Sequence, residues 1–170
     1  MKIVLLTYLI LVLSARQIAE QQVGVKEKGK NRGEKIKEYL ASVDLKEGNP
    51  YCYAGIYYCF EQASRRTNLP NPLLKTGLVL RFWNFARKNG KKVKFEVKEN
   101  ELLIWNRKNT VQGHIGLVRK VGRKGWVETI EFNTSSHNPR EGDGVHRKWR
   151  SVYHPLGFLY LKGIVGWEFK

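Results

Sequence analysis

The sequence predicts an α+β fold in which helices come first and an antiparallel sheet follows. Up to Gly90, apolar residues recur at helical spacing, as in Ile36, Tyr39 and Val43. After Gly90, apolar and polar residues alternate in short runs separated by glycine and asparagine, which is typical of strands. Helices segregated from a run of strands indicate the α+β class.

The individual elements follow from the same patterns. Helices are predicted at residues 34–43, 52–66 and 73–88, and the proline-rich stretch at 68–72 ends the second of them. Strands are predicted at residues 93–97, 102–105, 114–118, 126–131, 145–149 and 158–165. The sequence shows no internal repeat and no second domain.

The N-terminus has the pattern of an export signal. Met1-Lys2 precede the apolar run from Ile3 to Leu13, and Ser14-Ala15 follow it. The run is too short for a comfortable membrane span. Residues 1–15 are therefore predicted to be a signal peptide, or an uncleaved anchor because Leu13 stands where a small residue is usual. The polar residues 16–33 are predicted to be a tether or disordered arm, and residues 34–170 to be the folded domain.

Charge narrows the choice of partner. The chain has 170 residues, enough for one domain with a sizeable core, and a formal net charge of +16. Such a charge favours nucleic acid, an anionic lipid surface or an anionic cell-wall polymer. Because export is expected, an anionic envelope polymer is the predicted partner and nucleic acid is not. Contact with a membrane is expected only through the N-terminal segment. The protein is expected to be a monomer.

The two cysteines are predicted to stay unpaired. Cys52 and Cys59 lie on one predicted helix, where seven residues correspond to roughly 10 Å along the axis. A disulfide needs Cα atoms within roughly 7 Å. Unpaired cysteines in an exported protein suggest that one has a chemical role. Neither a CxxC nor an HxxxH spacing occurs, so no metal or other cofactor is predicted.

Cys52 is the candidate nucleophile. If Asn49 caps the helix and Pro50 takes its first position, Cys52 falls in the first turn. There the unpaired backbone N–H groups and the helix dipole favour the thiolate, which is the reactive form. Cys59 is predicted to be a small core residue.

A cysteine nucleophile needs a base and a group that orients the base. His114 is the candidate base, at the start of a predicted strand in which Gly116 leaves room beside the ring. Glu131 and Asn133 are two residues apart, so on a strand they share a face, and either could orient the imidazole. Taken singly, each residue is better explained by a structural role: His114 as a half-buried strand residue, Glu131 as a strand-edge charge and Asn133 as a turn residue.

The order of three motifs resembles the CHAP family of cysteine amidases and peptidases. The motifs are Pro-Tyr-Cys at 50–52, Gly-His-Ile-Gly-Leu-Val at 113–118 and Thr-Ile-Glu-x-Asn at 129–133. The resemblance covers roughly residues 34–165. It implies a papain-like fold shared with NlpC-type enzymes and action on bacterial peptidoglycan. It also implies that Cys52 is the nucleophile, His114 the general base and Glu131 the orienting residue, with Asn133 an accessory group or an alternative third member.

Two features depart from the family's pattern. Phe132 stands where members usually have glycine, and its side chain should point away from Glu131 and Asn133. No glutamine precedes Cys52 to stabilise an oxyanion, so the Cys52 N–H is the predicted donor, with Asn49 a weaker second candidate.

The expected function is hydrolysis of a cell-wall amide bond through a thioester acyl-enzyme. The protein would be either an N-acetylmuramoyl-L-alanine amidase or an endopeptidase that cuts the stem peptide. The alternative is a catalytically inactive basic module of the same fold that binds envelope polymers or nucleic acid.

Overall fold

The computed structural model describes residues 2–88, 96–135, 142–156 and 159–166. Its helices are α1 (Lys2–Gln22), α2 (Glu34–Ala41), α3 (Cys52–Thr67) and α4 (Val79–Lys88). Its strands are β1 (Leu102–Asn106), β2 (Gly113–Val121), β3 (Trp126–Thr134), β4 (Gly144–Ser151) and β5 (Tyr160–Val165). The predicted α+β class is confirmed.

The strands form one antiparallel sheet in the order β4-β3-β2-β1-β5. Strands β1 to β4 form a meander, and β5 returns to pair with β1. Because side chains alternate across a strand, the sheet buries residues on both faces. One face joins the helices in the main core, and the other holds a smaller cluster with Leu103, Trp105, Val118, Val127 and Ile164. This arrangement is compatible with a papain-like CHAP domain.

Helix α3 carries the candidate nucleophile and lies in the middle of the core. Its buried residues include Cys59 and Phe60, and Asn68 ends it in a left-handed conformation with φ 54°. Phe132 of β3 is fully buried on the helix side of the sheet, as expected of the residue between Glu131 and Asn133. Its ring occupies the place that a Cβ on Gly55 would take. The unusual phenylalanine is therefore accommodated by a glycine on α3.

We expect Gly55→Ala to lower the free energy of unfolding by about 1–3 kcal/mol, because the added methyl group would overlap the Phe132 ring. Urea unfolding measures the change. The double variant Gly55→Ala, Phe132→Leu should recover part of the loss, since the smaller side chain makes room. An unchanged unfolding midpoint in Gly55→Ala would contradict this packing.

Two predicted elements differ from the structure. Helix α4 begins at Val79 instead of residue 73. Before it, the Asn71 side chain accepts from the Leu73 N–H and the Thr76 hydroxyl accepts from the Leu78 N–H. Such local hydrogen bonds compete with helix formation. Of the strand predicted at 93–97, residues 93–95 lie outside the described part, and Val97 is not in a strand.

The prediction that residues 16–33 form a tether is wrong. Residues 16–22 continue α1, whose buried stripe is Leu11, Val12, Ala15, Ile18 and Ala19. Residues 24–27 then hydrogen-bond to β4, in part through both backbone groups of Val145. The reason is that apolar residues keep helical spacing past residue 15, so the predicted boundary falls inside a helix. Among the described residues, no helix is long and apolar enough to cross a membrane.

Candidate active site

Cys52 is the first residue of α3, so its place in the first turn is confirmed. The predicted cap is wrong, because Tyr51 is the N-cap residue and Pro50 lies before the helix. The Asn49 amide instead donates to the Lys46 carbonyl oxygen at 2.9 Å, within the preceding turn. In the described part of the chain no side chain caps α3, which leaves its first N–H groups, that of Cys52 included, to bind an oxyanion. The role of Asn49 as a second oxyanion donor stays a prediction.

The two cysteines are free and differ in their surroundings. The Cys52 side chain reaches the start of β2, with Sγ 3.9 Å from the Gly113 carbonyl oxygen. It also lies close enough to His114 to raise the pKa of that ring. Cys59 is fully buried, and burial raises the pKa of its thiol, so it stays protonated and unreactive. The structure therefore separates a thiol in contact with a base from a thiol in the core.

His114 contacts the thiol and a carboxylate at once. Its Nε2 atom lies 2.9 Å from Glu131 Oε2, which leaves Nδ1 as the ring nitrogen for Cys52. Across the β1–β2 pair, the Trp105 ring lies 6.0 Å from the imidazole, centroid to centroid. A side chain on Gly116 would press on Glu131 and Thr129, so this glycine makes room for the carboxylate side of the site.

Glu131 is the carboxylate in contact with the imidazole. It is fully buried, and besides His114 it accepts a hydrogen bond from the Thr129 hydroxyl at 2.7 Å. Arg150 of β4 donates to both oxygens, from Nε to Oε1 at 2.7 Å and from Nη2 to Oε2 at 2.6 Å. Burial alone would raise the pKa of Glu131, but Arg150 and His114 outweigh it and hold the pKa well below its usual range.

Sequence reasoning gave Thr129 no role beyond its place in a motif, and it missed Arg150. Thr129 could have been found, because it lies two residues before Glu131 on the same strand and so shares its face. Arg150 lies one residue past the end of the predicted strand, and its contact depends on the register between β3 and β4.

Asn133 does not continue the alternation on which its predicted role depends. Its φ of 52° lies in the left-handed region, and the register of β3 and β4 shifts between Phe132 and Thr134. Its Oδ1 lies close against Gly142. The imidazole ring of His114 thus has its hydrogen bond to Glu131, and an accessory role for Asn133 stays a prediction.

The proton affinity of His114 is set by opposing effects. Burial lowers the pKa of a histidine, but the contacts with Cys52 and Glu131 outweigh it and raise the pKa of His114 to about 9. The ring is therefore protonated at neutral pH, as a general acid for a leaving amine must be. On β4, His146 Nε2 lies 2.5 Å from Asp143 Oδ1. In the described ranges, no group of three His, Cys, Asp or Glu side chains could hold a metal ion.

We expect NMR titration of the His114 ring to show a pKa near 9, and Cys52→Ser to lower it because one of the two groups that raise this pKa is changed. Because the folded pKa lies above the unfolded value, the stabilisation is complete below about pH 6.5 and is lost as pH rises through about 9. Activity should fall over the same alkaline range, since a neutral ring cannot protonate the leaving amine. A ring that titrates at or below about 6.5 would contradict the contacts described.

A family model matches the part of the chain that contains these site residues. The CHAP domain matches residues 44–133, which is 90 of 170 residues. The match includes Cys52, His114, Glu131 and Asn133, whereas β4 with Arg150 lies beyond it. No curated protein and no solved structure matches the chain. Since more than half of the chain is matched, the protein belongs to the CHAP family, whose members are amidase- and peptidase-type hydrolases associated with peptidoglycan.

Proposed function

We propose that the protein is a cysteine amidase or peptidase that hydrolyses amide bonds of peptidoglycan. The observation that carries the proposal is the ring of His114, which contacts the Cys52 thiol on one side and the Glu131 carboxylate on the other. This arrangement supports Cys52 as nucleophile, His114 as acid–base group and Glu131 as orienting residue in an acyl transfer.

The reaction would proceed through a thioester. The Cys52 thiolate attacks the amide carbonyl carbon, and the Cys52 N–H at the start of α3 stabilises the oxyanion. The protonated His114 gives its proton to the amine as the C–N bond breaks. The neutral ring then takes a proton from water, whose hydroxyl attacks the thioester, and the carboxylic acid leaves as the thiolate re-forms.

The proposed substrate is the stem peptide of peptidoglycan, cut at its link to N-acetylmuramic acid or within the stem. The formal charge of +16 would hold the protein near anionic wall polymers. We also propose that the protein acts outside the cytoplasm as a monomer. The burial of Leu11, Val12 and Ala15 in the core supports an N-terminal segment that is retained and packs on the domain, instead of the cleaved signal peptide or the membrane anchor that the sequence pattern predicts.

Digestion of purified cell walls tests the proposed function. Wild type and Cys59→Ser should release new amino ends, and Cys52→Ser should release none. Mass spectra of the products distinguish an amidase, which frees whole stems with N-terminal alanine, from an endopeptidase, which cuts within the stem. Binding to walls without release by the wild type would support the inactive binding module instead. Release that persists in Cys52→Ser would refute a cysteine mechanism.

A further inference from the structure

We propose that Arg150 is a positioning residue that balances the charge of the site, so that the Cys52 thiolate and the Glu131 carboxylate can be ionised together. Neither the three sequence motifs nor the family match includes this residue. Its effect on thiol reactivity is independent of the substrate, whereas its effect on hydrolysis rests on the proposed function.

Arg150 and Glu131 form a bidentate ion pair, which we call the fork. Nε and Nη2 bond separate carboxylate oxygens at 2.7 and 2.6 Å, with the arginine side chain only 16% exposed and the Glu131 side chain fully buried. A guanidinium group matches a carboxylate in this geometry, and a lysine does not. The fork, together with Thr129 and His114, engages each oxygen twice and so fixes the plane of the carboxylate.

A permanent cation is needed to balance the negative charges of the site. With Cys52 and Glu131 ionised, the site holds two negative charges, and His114 supplies one positive charge only while it is protonated. Arg150 supplies the second and keeps it throughout the catalytic cycle, because guanidinium does not lose its proton in proteins. Without Arg150 the buried site would carry an excess negative charge, which the uptake of a proton would cancel.

Two other titratable groups described near this site, Lys148 and His146, have hydrogen-bond partners other than Glu131. Lys148 donates to the Ser135 carbonyl oxygen at 2.7 Å, and burial together with the charge of Arg150 lowers the pKa of this lysine. His146, the register partner of Glu131, pairs with Asp143. Lys148 acts on Glu131 through space, whereas Arg150 is the cation that donates hydrogen bonds to both carboxylate oxygens. Arg150 is therefore the group whose removal should change the ionisation of the thiol most.

The test is the rate at which iodoacetamide alkylates Cys52 as a function of pH. We expect Arg150→Met to slow alkylation at pH 7 by roughly tenfold and to move its pH midpoint up by about one unit, as expected for one lost charge nearby. Arg150→Lys should lie in between, since it keeps the charge without the fork. The matched control is Arg147→Met, which removes the same charge from β4 where it pairs with Glu20, and it should behave as wild type.

A charge-balance rescue separates this role from a merely structural one. Adding Glu131→Gln to Arg150→Met removes one charge of each sign, so the alkylation midpoint should return toward that of the wild type. Circular dichroism establishes that the variants are folded, and Arg150→Lys provides the test if Arg150→Met is not. A folded Arg150→Met with wild-type alkylation at every pH would overturn the proposal, as would the absence of rescue. Normal alkylation with no wall hydrolysis in the wild type would instead refute the proposed function alone.

Discussion

Replacing His114 by alanine will slow the alkylation of Cys52 at neutral pH by about a hundredfold and abolish amide hydrolysis. In the proposed mechanism the protonated ring stabilises the thiolate and supplies the proton for the leaving amine. Alanine removes both contributions and leaves a nearly buried thiol beside a buried carboxylate, an environment that opposes ionisation. Iodoacetamide labelling followed by peptide mass spectrometry measures the rate at each cysteine.

Two controls make this result specific to the site. Cys59 serves as an internal reference, because its full burial predicts slow labelling in every folded variant. His146→Ala removes a histidine that pairs with Asp143 and should leave the labelling of Cys52 unchanged. If Cys52 and Cys59 react slowly and equally in the wild type, the activated thiolate is refuted.

Replacing Leu11 by aspartate will unfold the domain, and the same change at Leu13 will not. Leu11 is fully buried, whereas Leu13 is 45% exposed on the same helix. A buried unpaired carboxylate, with the loss of the leucine packing, costs an amount comparable to the whole stability of about 5–15 kcal/mol of a domain. The pair of variants applies one chemical change to two faces of α1.

Thermal unfolding followed by circular dichroism distinguishes the two outcomes. We expect no cooperative transition for Leu11→Asp, and for Leu13→Asp a transition close to that of the wild type. A chain without residues 2–15 should behave like Leu11→Asp, because it lacks Leu11, Val12 and Ala15 together. Wild-type stability of either the truncated chain or Leu11→Asp would contradict the packing of α1 and favour the cleaved leader.

The predictable part of the site is the part that local sequence determines. Cys52 and His114 lie at the beginning of an element and Glu131 lies within a strand, and the period of each element is clear. Their motifs predict the contacts that the structure shows. The position of Phe132 was predictable for the same reason, because strand alternation sends it to the helix side. The fold class followed from the change of period near Gly90.

The unpredicted part depends on longer-range geometry. The register that brings Arg150 to Glu131 is a property of two strands joined through residues 135–143, and no local pattern encodes it. The bulge at Asn133 cannot be read from alternation, since it interrupts alternation. At the N-terminus, the apolar run that resembles an export signal is also the buried face of a core helix. The two cannot be distinguished by sequence, because both patterns are made of the same apolar residues.

The contacts that end α1 also fix an order of events in folding. Glu20 bonds Arg147 across 127 residues of sequence, and residues 24–27 pair with the start of β4. These contacts cannot form on a growing chain until β4 has been synthesised, and contacts of such long sequence separation form slowly. We therefore expect residues 24–27 to gain protection late in pulse-labelled hydrogen exchange, after the β1–β2 hairpin. The N-terminal segment is therefore expected to join the domain after the β1–β2 hairpin has formed.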